Sequence, residues 1–390
     1  DLTFHCNDYC SHCVTNSGPK CKEFTNINDS NKIIDNIQRY NLLGRIKNLY
    51  NCEVKFEFSS SSILEKLEKI KKPPTTLNDK LSRSYLECLH GTNYQTVLKV
   101  NNSEKKLNFG RPHIRLSGGE FFTWPNNDMK VEKRLEEQTR LLRKIREKLP
   151  DYNIWILTNG RFASSDDEAD EVIRFWSKNL ENEDKYTGKT RICISTDPFH
   201  SPPKNSTFKD MLERIWSSCK KYNFSAPFLY GIPGREIYYA GRAFDNFSLG
   251  RIKDFENTSK SNFNKRKGYT VTTKDLIKSD GCTELKGFFV KIKDNAFIPV
   301  NNININPTGH LTFCCAQVGD YGDFVNNPEN SLKNIIINPI SFMMRKKKTA
   351  IPFLDLVSEL DPTIEILNQG EHAAVVSSTC YQMLSGKRKL

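Results

Sequence analysis

Short apolar runs alternate with amphipathic stretches from about residue 106 to residue 230, and this rhythm restricts the fold more than any other feature of the chain. His113-Ile114-Arg115-Leu116 reads as a strand. Residues 130–149 read as a helix, with Val131, Leu135, Leu142, Ile145 and Leu149 near one face. Ile154-Trp155-Ile156-Leu157 is a second strand, 167–180 a second helix and Ile192-Cys193-Ile194 a third strand. Phe208, Met211, Leu212, Ile215, Trp216 and Cys219 then follow the spacing of one helical face. Ala226-Pro227-Phe228-Leu229-Tyr230 makes a fourth strand. Strands alternating with helices predict βαβ units and a parallel sheet, either open or closed into a barrel.

In such α/β sheets the chemistry gathers in loops past the carboxyl ends of the strands. Those positions hold Ser117-Gly118-Gly119-Glu120, Thr158-Asn159-Gly160, Ser195-Thr196-Asp197 and Gly231-Ile232-Pro233-Gly234. All four are small or polar, as a binding rim requires.

Residues 20–110 break the rhythm with a serine run from Ser59 to Ser62, the Pro73-Pro74 pair and several Asn clusters. Helices are expected near 29–44 and 62–71, and the rest reads as an inserted, loop-rich segment. From about 283 the pattern turns to β. Phe288-Phe289-Val290 precedes a hairpin signal in which Ile303-Asn304-Ile305 and Leu311-Thr312-Phe313 flank Pro307-Thr308-Gly309. This marks the start of a second, smaller domain.

Composition narrows the setting. The 390 residues fit two or three domains, or one α/β barrel with appendages. Hydrophobic residues are 37% and charged residues 27%, which suits a globular chain. No apolar run approaches the ~20 residues of a membrane span. The opening Asp1-Leu2-Thr3-Phe4-His5-Cys6 lacks the apolar stretch of a signal peptide, so a reducing, cytoplasmic setting is expected. Two quantities stand out: a net charge of +12 and twelve cysteines. In a reducing compartment, clustered cysteines point to a metal or to catalysis rather than to disulfides.

Three of the twelve fall in Cys6-Asn7-Asp8-Tyr9-Cys10-Ser11-His12-Cys13, spaced C-x3-C-x2-C. Three thiolates this close can hold three corners of a 4Fe–4S cube and leave the fourth iron open. Zinc is the competing reading. Structural zinc takes four ligands, usually in two-residue-spaced pairs. Only the second interval fits, with His5, His12 or Cys21 available to complete the set. Three unliganded buried cysteines are disfavoured by the polar surroundings.

This loop resembles the signature of the radical SAM superfamily, with His12 at the position that is usually Tyr or Phe and can stack on adenine. Gly118-Gly119-Glu120 resembles the family's GGE motif, which holds the amino group of S-adenosylmethionine. Thr158-Asn159-Gly160 resembles its TNG turn. The likeness covers roughly residues 1–245 and implies a partial (β/α)6 TIM-type barrel as the core, with the insertion at about 20–110. It implies Cys6, Cys10 and Cys13 as catalytic cluster ligands. It also implies that the reduced cluster passes one electron into the sulfonium, and that the resulting 5′-deoxyadenosyl radical abstracts hydrogen from substrate. A reductant such as flavodoxin or ferredoxin is the implied electron source. Ser195 and Asp197 match positions that contact the S-adenosylmethionine ribose or carboxylate in the family, and a plain strand-end turn explains them equally well. Gly241-Arg242-Ala243 resembles a segment whose Arg reaches the same cofactor, against the simpler reading of an exposed Arg at a helix start. His200 reads first as a loop histidine before Pro202-Pro203, with a substrate-side acid/base as the other reading.

Residues 246–390 resemble a SPASM or twitch extension, a small C-terminal β-hairpin domain that carries auxiliary iron–sulfur clusters. Gly309 followed by Cys314 carries the likeness. The match then departs: no C-x2-C-x5-C follows, and only Cys380 remains downstream. Cys282, Cys314, Cys315 and Cys380 are the candidate set for one auxiliary cluster, since four thiolates are the usual demand. The alternative is a SPASM-like fold without metal.

A truncated extension of this kind resembles enzymes that modify ribosomally made peptides, so a peptide substrate is expected. Modification of a small molecule or tRNA is the second enzyme reading, and a non-catalytic zinc or iron–sulfur protein is the third. The basic residues cluster at Arg345-Lys346-Lys347-Lys348 and at Lys387-Arg388-Lys389; the terminal run reads as a solvated tail, and no RNA-binding module accompanies them.

Overall fold

A computed structural model describes residues 1–7, 13, 17–40, 53–58, 77, 94–100, 103–107, 113–180, 188–195, 206–230, 245–246, 289–291, 297–299, 304–312 and 320–337. The chain divides into two compact units. One comprises Asp1–Asp8 with Pro19–Ile232, the other Tyr9–Gly18 with Pro233–Leu390.

In the first unit, helix α1 (Ile27–Arg39) starts at Asn26, whose side chain accepts the Asp29 N–H at 2.8 Å. That bond satisfies one of the orphan donors of the first turn. Ile33 and Ile34 are its buried apolar residues. The expected helix near 62–71 lies outside the described residues. The expectation of a loop-rich 20–110 is corrected by three strands: β1 (Glu53–Phe58), β2 (Tyr94–Val100) and β3 (Ser103–Leu107). They form an antiparallel sheet in the order β1-β2-β3. Its strands carry period-two alternation, as in Glu53-Val54-Lys55-Phe56-Glu57-Phe58, and only Asn101 and Asn102 separate β2 from β3. That is the spacing of a two-residue hairpin.

The expected parallel sheet follows. Strands β4 (His113–Leu116), β5 (Asn153–Thr158), β6 (Thr190–Ser195) and β7 (Phe228–Tyr230) are parallel and adjacent in chain order. Helices α2 (Val131–Lys148), α3 (Asp166–Asn179) and α4 (Phe208–Lys221) connect them. α4 begins with a capping box between Thr207 and Asp210. Parallel sheets need such crossovers, and consecutive right-handed ones place the helices on one face.

Side chains on a strand alternate between faces. Register aligns Ile114 with Ile154, Leu116 with Ile156, and Ile156 with Ile192. This row packs with Leu142 and Ile145 of α2, Ile173 and Trp176 of α3, and Met211 and Ile215 of α4 in one core. Each such side chain contributes about 1.5–3 kcal/mol by leaving water. Trp176 is fully buried and stacks on Phe122 at 5.0 Å. Val131 is a correction: expected near the buried face, it is 45% exposed, because it is the first residue of α2 and precedes the packed turns. The other row contains His113, Arg115, Trp155, Leu157, Arg191, Cys193 and Ser195.

The second unit contains the expected hairpin. Strands β8 (Phe289–Lys291) and β9 (Phe297–Pro299) pair antiparallel. Strands β10 (Asn304–Ile305), β11 (His310–Thr312) and β12 (Asp320–Asp323) form a second antiparallel sheet, followed by helix α5 (Pro328–Ile337). The His310 imidazole Nδ1 pairs with the Asp320 carboxylate at 2.9 Å. Among the described residues, no helix is long and apolar enough to cross a membrane.

Candidate functional site

Leu2 to His5 lies as an extended segment between two others. Leu2 N–H donates to Ser117 O at 2.9 Å, Gly119 N–H to Thr3 O at 2.6 Å and Glu120 N–H to His5 O at 2.9 Å. On its other side, Phe4 N–H donates to Glu23 O and Thr25 N–H to Leu2 O. Thr3 bridges Gly118 in parallel and Phe24 antiparallel. The chain leading into the cysteine loop therefore extends the parallel run beside β4, which carries Cys6 to the carboxyl end of the sheet.

The two glycines make this docking physical. A Cβ on Gly119 would fall 1.9 Å from His5 O, and one on Gly118 2.2 Å from Thr3 O. Gly118 also has φ +123°, which side-chain-bearing residues rarely adopt. Their close approach is to the chain's own backbone.

Glu120 follows, buried to 2% exposure. Its Oε2 accepts the Asn159 backbone N–H at 2.8 Å, and Oε1 accepts the Phe122 N–H at 3.3 Å. The second bond caps the short 3₁₀ turn Phe121–Thr123. Thr123 Oγ1 donates to Glu120 O at 2.7 Å. Backbone donors to a carboxylate are charge-assisted and strong. The carboxylate thus ties the loop after β4 to the end of β5.

Asn159 completes the connection. Its Nδ2 donates to Asn7 Oδ1 at 2.6 Å and lies 4.0 Å from the Cys6 sulfur. Its Oδ1 accepts the Arg161 N–H at 3.1 Å, which fixes which end of the amide faces the cysteine. Thr158 is the last residue of β5, and its hydroxyl accepts the Gly160 N–H at 3.0 Å. Cys6 is buried and is not part of a disulfide. His5 stacks on Phe24 at 5.5 Å. Burial lowers the His5 pKa, Asp128 opposes that shift and Arg134 adds to it.

Cys6, Gly118, Gly119, Glu120, Thr158 and Asn159 are therefore brought together within the first unit. Ser195 ends β6 and is half-buried. Cys13, in the second unit, is half-buried and is not part of a disulfide. Cys10, His12, Asp197, His200, Arg242, Cys282, Cys314, Cys315 and Cys380 lie outside the described residues. Among the described residues, no three His, Cys, Asp or Glu side chains gather as a metal-binding group. Cys219 is buried in the core, and burial pushes its thiol pKa far up, which leaves it inert.

Asn7, Thr3 and Thr123 belong to this site and were missed in the sequence. The short apolar alternation of Leu2-Thr3-Phe4 is the signal for Thr3. Asn7 and Thr123 have no local signal, because their roles arise only from contacts between distant segments. Chemically, the site presents a soft sulfur with an amide N–H aimed at it and a rigid cradle of backbone hydrogen bonds. An N–H donor beside a sulfur stabilises negative charge on it. The chain matches no protein-family model and no curated protein.

Proposed function

We propose that this chain is a radical SAM enzyme, built on a partial (β/α)6 barrel with a SPASM-like C-terminal domain, that modifies a ribosomally made peptide. The observation that carries the reading is the hydrogen-bonded convergence of Cys6, Glu120 and Asn159. These are the segments whose motifs resemble the family's cluster loop, GGE motif and TNG turn. In this proposal Cys6, Cys10 and Cys13 hold a 4Fe–4S cluster. When bound, the cluster and S-adenosylmethionine supply a carbon radical that removes hydrogen from substrate.

The chain's own residues prepare that chemistry. Gly118 and Gly119 let the strand edge approach the Cys6 segment, and Glu120 holds the β5 end against it. The Asn159 amide orients Asn7 and faces the Cys6 sulfur. Oxygen-labile chemistry of this kind requires a reducing setting, and the cytoplasm is part of the proposal.

Anaerobic reconstitution with iron and sulfide tests the reading. The expected product is a brown protein with about four irons per chain, or more if the auxiliary set is real. Stoichiometric zinc with no iron uptake refutes it.

A further inference from the structure

The turn that leaves β5 is held from beneath by helix α4. It runs from Thr158 through Gly160 into the 3₁₀ turn Arg161–Ala163 and on to Ser165, the cap of α3. Gly160 has φ +80°, and a Cβ there would fall 2.7 Å from Met211 Sδ and 2.8 Å from Met211 Cε. Met211 is fully buried, so its thioether forms a floor that only a glycine clears. Ala163 N–H donates to Gly160 O at 3.0 Å and closes the turn.

Further along α4, Arg214 fixes the far end of the same turn. Its Nη1 donates to Ser164 O at 2.7 Å and to Ala163 O at 3.3 Å. It also donates to Ser206 Oγ at 3.0 Å, beside the Thr207 cap of α4. Nε lies 3.8 Å from Asp166 Oδ1 in the first turn of α3, and only 22% of the Arg214 side chain is exposed. A guanidinium presents its donors as a rigid planar fork, so it holds several acceptors at fixed relative positions. Bonds from a charged donor are about twice as strong as neutral ones.

This clamp controls the direction of one amide. Asn159 Oδ1 accepts the N–H of Arg161, the first residue of the 3₁₀ turn, at 3.1 Å. Displacing the turn moves that N–H and rotates the Asn159 amide with it. The other end of the amide lies 4.0 Å from the Cys6 sulfur. That contact is already long, so a small rotation ends it. A continuous path therefore joins Arg214 to Cys6: guanidinium, turn carbonyls, Arg161 N–H, Asn159 amide, sulfur.

We propose that Arg214 is a positioning residue that aims the Asn159 amide at the Cys6 sulfur, with Met211 as the support beneath. A site group is only as precise as the shell that locks it. The aim is a property of the chain alone; its effect on a cluster rests on the proposed radical SAM function.

The test begins with the full chain free of metal, so its outcome is separate from that of the radical reading. Hydrogen exchange at the Arg161 amide reads its bond to Asn159 Oδ1. Arg214→Met should speed that exchange roughly fivefold or more and leave Ile156, in the middle of β5, unchanged. Asn159→Ala should cause the same loss, and adding Arg214→Met to it should cause no more. Lys209→Gln, at an exposed position of the same helix, should leave Arg161 protected. Arg214→Lys keeps a charged donor without the fork and should fall between the unaltered chain and Arg214→Met. It carries the test if the methionine variant fails to fold. In iron-loaded protein, Arg214→Met and Asn159→Ala should lower the cluster potential alike, by the roughly 40 mV that a fivefold change equals for one electron. The exchange results stand whether or not iron loads. Unchanged exchange at Arg161, loss spread equally to Ile156, further loss in the double variant, or potentials that differ between the two single variants overturns the proposal.

Discussion

The Glu120 carboxylate accepts the Asn159 backbone N–H at 2.8 Å, joining two strand ends that lie 39 residues apart. With the Glu120 N–H donating to His5 O, one residue holds three segments at the carboxyl end of the sheet. This carboxylate therefore has a structural duty beside any contact with a ligand ammonium.

Removing that carboxylate has two separable effects. Glu120→Ala leaves the buried Asn159 and Phe122 N–H groups without an acceptor, at about 1–3 kcal/mol for each unsatisfied donor. Glu120→Gln keeps an acceptor oxygen and should lose less. Denaturant titration should rank wild type above Gln above Ala. In reconstituted protein, Glu120→Gln should retain iron and weaken S-adenosylmethionine binding by roughly tenfold, the worth of one charge-assisted hydrogen bond.

Asn159 faces the Cys6 sulfur with its amide nitrogen. Hydrogen bonds to cluster sulfurs raise the reduction potential. Asn159→Ala should lower the potential by roughly 40 mV, the one-electron equivalent of a bond worth about 1 kcal/mol. Redox titration followed by electron paramagnetic resonance reads it. An unchanged potential removes Asn159 from this role even if activity falls.

Gly119 is the tightest point of the docked segment. Gly119→Ala would put a methyl carbon 1.9 Å from His5 O, so the Thr3–His5 backbone must withdraw. The variant should lose about 3 kcal/mol or more. Hydrogen exchange should show lost protection at the Glu120 amide, which donates to His5 O.

Acid sensitivity should trace in part to Asp170, which joins α3 to α4. Its carboxylate accepts from Ser218 Oγ at 2.6 Å, Tyr222 Oη at 3.2 Å and Lys221 Nζ. Burial pushes its pKa up, but the Lys221, Ser218 and Tyr222 bonds outweigh it and hold the group below the usual carboxylate value. A folded pKa below the unfolded one gives stability that is present above the unfolded pKa near 3.9 and lost as pH falls through the folded value. With the carboxylate a quarter exposed, the contribution is below about 1 kcal/mol. Asp170→Asn should flatten the fall in stability below about pH 4.

The sheet and its helices were legible because local periodicity encodes them. Helices α2, α3 and α4 and the strands Ile154–Leu157 and Ile192–Ile194 appear where the pattern put them, with Val131 the exception on the α2 face. The β1-β2-β3 sheet was hidden by Ser and Asn clusters around its alternating strands, although Asn101-Asn102 was a usable hairpin cue. At the site, the residue types at the strand ends were readable. Their partners were not: the Asn159–Cys6 contact spans 153 residues, and a hydrogen bond of that reach leaves no local pattern. The close approach that Gly118 and Gly119 permit is to Thr3 and His5, more than a hundred residues away in the chain.

The proposed activity is reductive cleavage of S-adenosylmethionine at a cluster held by Cys6, Cys10 and Cys13. The most direct measurement is 5′-deoxyadenosine released by anaerobically reconstituted protein given S-adenosylmethionine and dithionite. It should form with the unaltered chain and be lost in Cys6→Ala. Iron-loaded protein that releases none, or Cys6→Ala that releases as much as the unaltered chain, contradicts the proposed activity.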